Sequence, residues 1–167
     1  MREYVEMILE NASGQGVECE VFAEDTRGIE LEVHRGEVES IEKFRDRGVG
    51  IRVARGRRVG YAFTSELSGG ALEKALLEAA RSAEVSSPAL TSVLADRIPM
   101  EAEPGLEEPE PAGIREITER VIEMEAEAID YSPEVVNTRN AGYSESWTRV
   151  TVGSSKGFVR EENRGYC

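Results

Sequence analysis

At 167 residues with 40% hydrophobic side chains, the chain is long enough for one domain and apolar enough to build a core, which excludes global disorder. Thirty-three acidic residues against 20 basic ones leave a formal charge of -13, which argues against nucleic acid or an anionic membrane as the main partner. The two cysteines, Cys19 and Cys167, are too few and too far apart for a disulfide framework or a close-paired metal site, so both are read as reduced thiols.

The pattern begins as a helix over residues 2–13, with Tyr4, Val5, Ile8, Leu9 and Ala12 on one stripe and Gly14 and Gly16 ending it. It then changes to period two. Val17, Cys19, Val21 and Ala23 alternate with mostly acidic residues, and Ile29, Leu31 and Val33 do the same. These predict half-buried strands with one wet face. In a third run, 37–44, Val38, Ile41 and Phe44 stand three apart, which a bulge or strong twist would reconcile with a strand. Runs at 48–53 and 59–63, joined through Arg55-Gly56-Arg57, predict a hairpin. The five short runs together predict an antiparallel meander.

Ser68 is placed to cap a helix whose buried side is Leu72, Ala75, Leu76, Ala79, Ala80 and Ala83. Residues 86–112 hold five of the six prolines and read as a loop or an extended wrap. A further helix is predicted over 113–130, with Ile114, Ile117, Val121, Met124 and Ala128 as its stripe. Covering its own sheet is the commoner use of such a stripe, docking a partner the rarer one. Strands at 135–143, 145–152 and 158–166 close the chain. The fold class is therefore α+β: a largely antiparallel sheet with about three helices packed on one face. A strand running to the last residue leaves an uncapped edge, the pattern expected of a piece cut from something longer.

Chemistry is sparse. His34 is the single histidine, and Glu30 and Glu32 share its strand face. One imidazole with carboxylates on a wet face falls short of the nitrogen and sulfur ligands that zinc takes, so a solvated strand histidine is the expectation. Nucleophilic catalysis lacks a positioned base, since Cys19 lies on the apolar side of its strand and Cys167 is terminal. Gly48-Val49-Gly50 joins two strand-like runs, and Gly69-Gly70 is not followed by the Lys-Ser/Thr of a phosphate loop. The basic run Lys43, Arg45, Arg47, Arg52, Arg55, Arg57 and Arg58 is read as charge pairing with strand glutamates rather than as a nucleic-acid surface. The residues thus predict no catalytic, cofactor-binding or metal site. They predict a cytoplasmic protein with neither a signal core nor a membrane span.

Several segments in order resemble the first domain of the TldD/PmbA family, once called modulators of DNA gyrase. They are residues 16–24 (GVECEVFAE), 36–42 (GEVESIE), 47–53 (RGVGIRV), 60–68 (GYAFTSELS), 141–147 (AGYSESW) and 154–157 (SSKG). The stretch 46–68 is the most specific. The resemblance implies an amino-terminal domain spanning 1–167, whose partners are its own carboxy-terminal domain and a homologous subunit. In the family's TldD-like subunits a His-Glu-x-x-x-His motif later in the chain holds zinc and cleaves unstructured peptides; PmbA-like subunits lack it. No position of this sequence matches that motif. The resemblance therefore implies a non-catalytic domain contributing to a substrate cleft or subunit contact, with zinc held elsewhere. The alternative is part of an inactive PmbA-like partner or a stand-alone interaction module. A regulator bound to nucleic acid, which the older family name suggests, conflicts with the charge.

Overall fold

The structure, a computed structural model, describes residues 1–88, Leu94 and 113–167. The loop expected over 86–112 lies almost wholly outside them. The described elements are α1 (Arg2–Gly14), β1 (Glu18–His34), β2 (Glu37–Arg55), β3 (Arg58–Thr64), α2 (Gly69–Val85), α3 (Ile114–Asp130), β4 (Ala141–Ser154) and β5 (Phe158–Tyr166). The strands form one antiparallel sheet in the order β3-β2-β1-β4-β5, and with the three helices the class is α+β.

The predicted meander is present, but with three long strands where the sequence pattern marked five short ones. The polar run Asp25-Thr26-Arg27-Gly28 resembles a turn, yet β1 passes straight through it. Gly28 explains why: a Cβ there would sit 2.5 Å from the Glu145 carbonyl oxygen and 2.5 Å from the Phe44 ring, so the strand crosses close against its neighbours. Two-residue turns join the long strands. Arg35 and Gly36, at φ of +56° and +74°, supply the two positive angles of a type I′ turn, and Gly56 at +61° supplies the first position of a II′ turn. At the other end of the chain, 135–140 is not strand, and β4 continues unbroken through Ser144.

The chain divides into two compact units. One comprises Met1–Asp25, Asp46–Leu106 and Thr148–Arg164; the other comprises Thr26–Arg45, Glu107–Trp147 and Gly165–Cys167. In the first, α1 and α2 cover one sheet face. Val5, Ile8 and Ala12 of α1 and all six predicted stripe residues of α2 meet Cys19, Val21, Ala23, Val49, Ile51 and Val53 in one buried core. Small residues set the helix distances. A Cβ on Gly60 of β3 would lie 2.1 Å from the Ala79 carbonyl oxygen, and one on Gly153 of β4 would lie 2.4 Å from Val5.

The helix ends in this unit are satisfied locally. Gly16, at φ +64°, reverses the chain after α1, and the Val17 amide donates to the Ala12 carbonyl at 2.9 Å. Ser68 accepts the Ala71 amide at 3.3 Å. No basic residue stands in the last turn of α2. Arg58 of β3 donates instead to the Glu84 and Ser86 carbonyls at 2.9 and 2.7 Å, placing a cation where the helix dipole is negative.

The second unit has a smaller core: Leu31 and Val33 of β1, Ile117 and Val121 of α3, and Ala141 of β4. The buried line of α3 is Ile117, Val121 and Glu125: two residues of the predicted stripe are on it, and Glu125 takes the place of its later members. Met124 is 48% exposed and Ala128 is exposed. In the irregular run 37–44, which is strand, Val38 and Ile41 are also exposed.

Candidate interaction surfaces

The residues weighed for chemistry are not brought together. His34 ends β1 half-buried rather than solvated, and its Nδ1 is buried without a hydrogen-bond partner among the described residues. Glu30 and Glu32 are exposed on the same strand, with Glu32 accepting from Asn140 at 3.1 Å. Among the described residues no three His, Cys, Asp or Glu side chains gather as metal ligands do. Gly48 and Gly50 lie inside β2, and Gly69-Gly70 opens α2 behind its Ser68 cap. The basic run divides: Arg52 pairs with Glu20 across the sheet as expected, whereas Arg55 pairs at 3.0 Å with Glu84 of α2.

The thiols differ sharply. Cys19 is fully buried, and burial, reinforced by the Glu20 charge, pushes its pKa up to about 11. Cys167 is exposed, with its Sγ 3.7 Å from the Tyr143 hydroxyl. Because the thiolate is the nucleophile, a thiol reagent at neutral pH is expected to label Cys167 in the native chain and Cys19 only after unfolding. Labelling of native Cys19 on the Cys167 timescale would contradict this packing.

Among the described residues of the first unit, the sheet face opposite α1 and α2 carries no helix. Cross-strand pairing sets Gly50 opposite Phe63 and Arg52 opposite Tyr61, on the side away from Val49, Ile51 and Val53. Phe22 alternates with the buried Val21 and Ala23 and so joins that side. Phe63 is 86%, Tyr61 64% and Phe22 47% exposed, around the Glu20–Arg52 pair. An aromatic group of this kind is a mark of an interaction surface, because isolated apolar side chains are common but clustered ones are not. The sequence carries the signal: along 59–63, small Gly60 and Ala62 alternate with large Tyr61 and Phe63. Small residues approach the helix, and large ones are left outside.

The sheet has two edges, β3 and β5. Along β5, Glu161 accepts from the buried Thr151 hydroxyl at 2.8 Å and Asn163 accepts from Arg149 at 3.3 Å. Gly165 lies beneath the Trp147 ring, 2.6 Å from where its Cβ would be. With Arg160, Glu161, Glu162 and Arg164 along it, β5 is a charged edge of the kind that discourages pairing. Edge β3 carries Tyr61 and Phe63 instead. A shallow groove of about 620 Å³ beside α1 is floored by Leu9, Val17 and Val159 and rimmed by Glu18, which pairs with Lys156 at 2.7 Å.

In the second unit the one buried carboxylate among the described residues is an anchor. Glu125 of α3, 2% exposed, accepts the Arg35 amide at 3.0 Å, the Gly36 amide at 2.8 Å and the Thr138 hydroxyl at 2.5 Å. Those hydrogen bonds, led by Thr138, outweigh burial and hold its pKa below the ordinary carboxylate range, with a smaller contribution from the His34 charge. Arg35 is the only non-glycine residue at positive φ among those described, a conformation costing about 1–2 kcal/mol for a side chain with a Cβ. Glu125 holds both amides of that turn. The sequence gives a weak signal for it, an acidic residue four positions after Val121 on the buried line.

The profile of PmbA/TldA metallopeptidase domain 1 matches residues 19–84, and that of the PmbA/TldA metallopeptidase central domain matches residues 107–167. The chain belongs to the TldD/PmbA family. Metalloprotease PmbA homolog of Haemophilus influenzae is 30% identical over 164 residues, covering 96% of this chain and 36% of that protein. Metalloprotease PmbA of Escherichia coli O157:H7 is 29% identical over 171 residues, covering 100% of this chain and 37% of that protein. The chain thus spans little more than a third of the length of these TldD/PmbA relatives.

Solved structures of similar fold include TldE from Thermococcus kodakarensis, with a TM-score of 0.78 at 19% identity over 97% of this chain and 37% of that one. A candidate modulator of DNA gyrase from Bacteroides thetaiotaomicron gives a TM-score of 0.83 at 16% identity over 98% of this chain and 38% of that one. At these identities the likeness shows the fold. The family's first-domain match includes the β1–β2 hairpin tip, which packs with α3 and β4 in the second compact unit.

Proposed function

We propose that this chain is the non-catalytic, peptide-organising part of a TldD/PmbA-type zinc metallopeptidase that acts on unstructured peptides, with zinc held by another part of the protein. The carrying observation is edge strand β3, whose outer face bears the exposed Tyr61 and Phe63. A peptide in extended form can pair with such an edge through backbone hydrogen bonds, which are indifferent to sequence, while the aromatics grip alternate side chains. The charges along the other edge, β5, favour β3 for this role.

The experiment is a titration of the isotope-labelled chain with an unstructured casein peptide, followed by amide NMR shifts. Shifts concentrated in 59–64, and diminished in Phe63→Ser, are the expected result. Shifts confined to 158–166, or none at millimolar peptide, would reject β3 as the capture edge. The same aromatic face is suited to a contact with a homologous subunit. Both relatives above bear the name metalloprotease PmbA, and the second reading is therefore a domain of a PmbA-like partner subunit, in which the rest of the protein would hold no zinc.

A further inference from the structure

We infer that the second compact unit opens as a cooperative segment separate from the first, and that Glu125 is the latch that keeps it closed. Among the described residues, sixteen buried apolar side chains form the first unit's cluster and five form the second's. Where apolar burial is small, polar anchors decide local stability. In the second unit that anchoring converges on one side chain. Through three hydrogen bonds, Glu125 joins α3 to the tip of the β1–β2 hairpin and to the segment leading into β4.

The tip itself is not at rest without help. Arg35 holds a positive φ that its side chain disfavours, and the two amides exposed by that turn both point at the Glu125 carboxylate. Replacing the carboxylate by an amide leaves one acceptor oxygen where two served, so one of the two turn amides loses its partner and the restraint on Arg35 is weakened. The expected consequence is release of the hairpin from α3, exposing Leu31, Val33, Ile117 and Val121. All of these residues belong to the second unit.

Native-state hydrogen exchange on the 167-residue chain tests this. In Glu125→Gln, amides of Leu31, Val33, Arg35, Gly36 and α3 are expected to exchange together at least about tenfold faster, while those of Val21, Val53 and Leu76 keep their wild-type protection. Thr138→Val, which removes one donor of the three, is expected to accelerate the same group by less. Equal acceleration in both units, or a Glu125→Gln chain that is globally unfolded, would show that the molecule opens as one and overturn the inference. So would unchanged exchange in both variants.

Discussion

Gly60→Ala is expected to lower the unfolding free energy by about 2–3 kcal/mol, the upper part of the range for overpacking a tight site. The new methyl group would meet the carbonyl oxygen of Ala79 at 2.1 Å and the amide nitrogen of Ala83 at 2.2 Å. Both are backbone atoms of α2, so neither can rotate away. The helix must lift from β3, and the seal over Leu72 and Leu76 is lost with it. Gly70→Ala is the internal control. A Cβ there has nothing within 4 Å, and alanine in a helix is favoured over glycine by roughly 0.5–1 kcal/mol. Urea unfolding of the two variants should therefore move in opposite directions from wild type. A neutral Gly60→Ala would mean that α2 does not sit against β3 at this distance.

Acid should act on the molecule through Glu125. Its pKa is lowered in the folded state by the Thr138 hydroxyl first and the Gly36 and Arg35 amides after it. A carboxyl depressed on folding contributes stability that is fully present above its unfolded pKa and is lost as pH falls through the folded one. From neutral pH down to the ordinary carboxylate range the contribution persists; below that range it disappears. Glu162 is lowered as well, chiefly by its hydrogen bond to Arg164, but both are surface groups and that pair contributes little. Urea midpoints of wild type and Glu125→Gln are thus expected to differ widely at pH 7 and to draw together as the pH falls below the ordinary carboxylate range. A difference between the two that stays constant over this range would assign the loss to shape rather than to charge.

Much of the fold was legible because burial follows simple periods. The six α2 positions are buried as their spacing requires, and in β1 the period-two runs Cys19, Val21, Ala23 and Ile29, Leu31, Val33 are buried at alternate positions on either side of a polar middle. What was not legible depended on partners distant in sequence. The polar middle of β1 passes as a turn until Phe44 and the Glu145 carbonyl are seen packed against Gly28. On α3, Glu125 displaces Met124 and Ala128 from the buried line because hydrogen bonds from residues 35, 36 and 138 satisfy its carboxylate, and no local pattern announces those donors. The segment 135–140 is apolar enough at its start to read as a strand, yet Thr138 is committed to Glu125 instead. Of the interaction surface, the sequence showed a strand at 59–63 but not its position at the sheet edge, which is a property of strand order.

As proposed above, this polypeptide organises peptides and leaves their cleavage to another part of the protein. The most direct test is to purify the 167-residue chain, load it with zinc, dialyse it, and measure bound metal and casein cleavage together. The expected result is metal well below one equivalent with casein left intact, since His34 is the single imidazole and stands apart from any group of ligands. One tightly held zinc per chain accompanied by fragmentation of casein would contradict it.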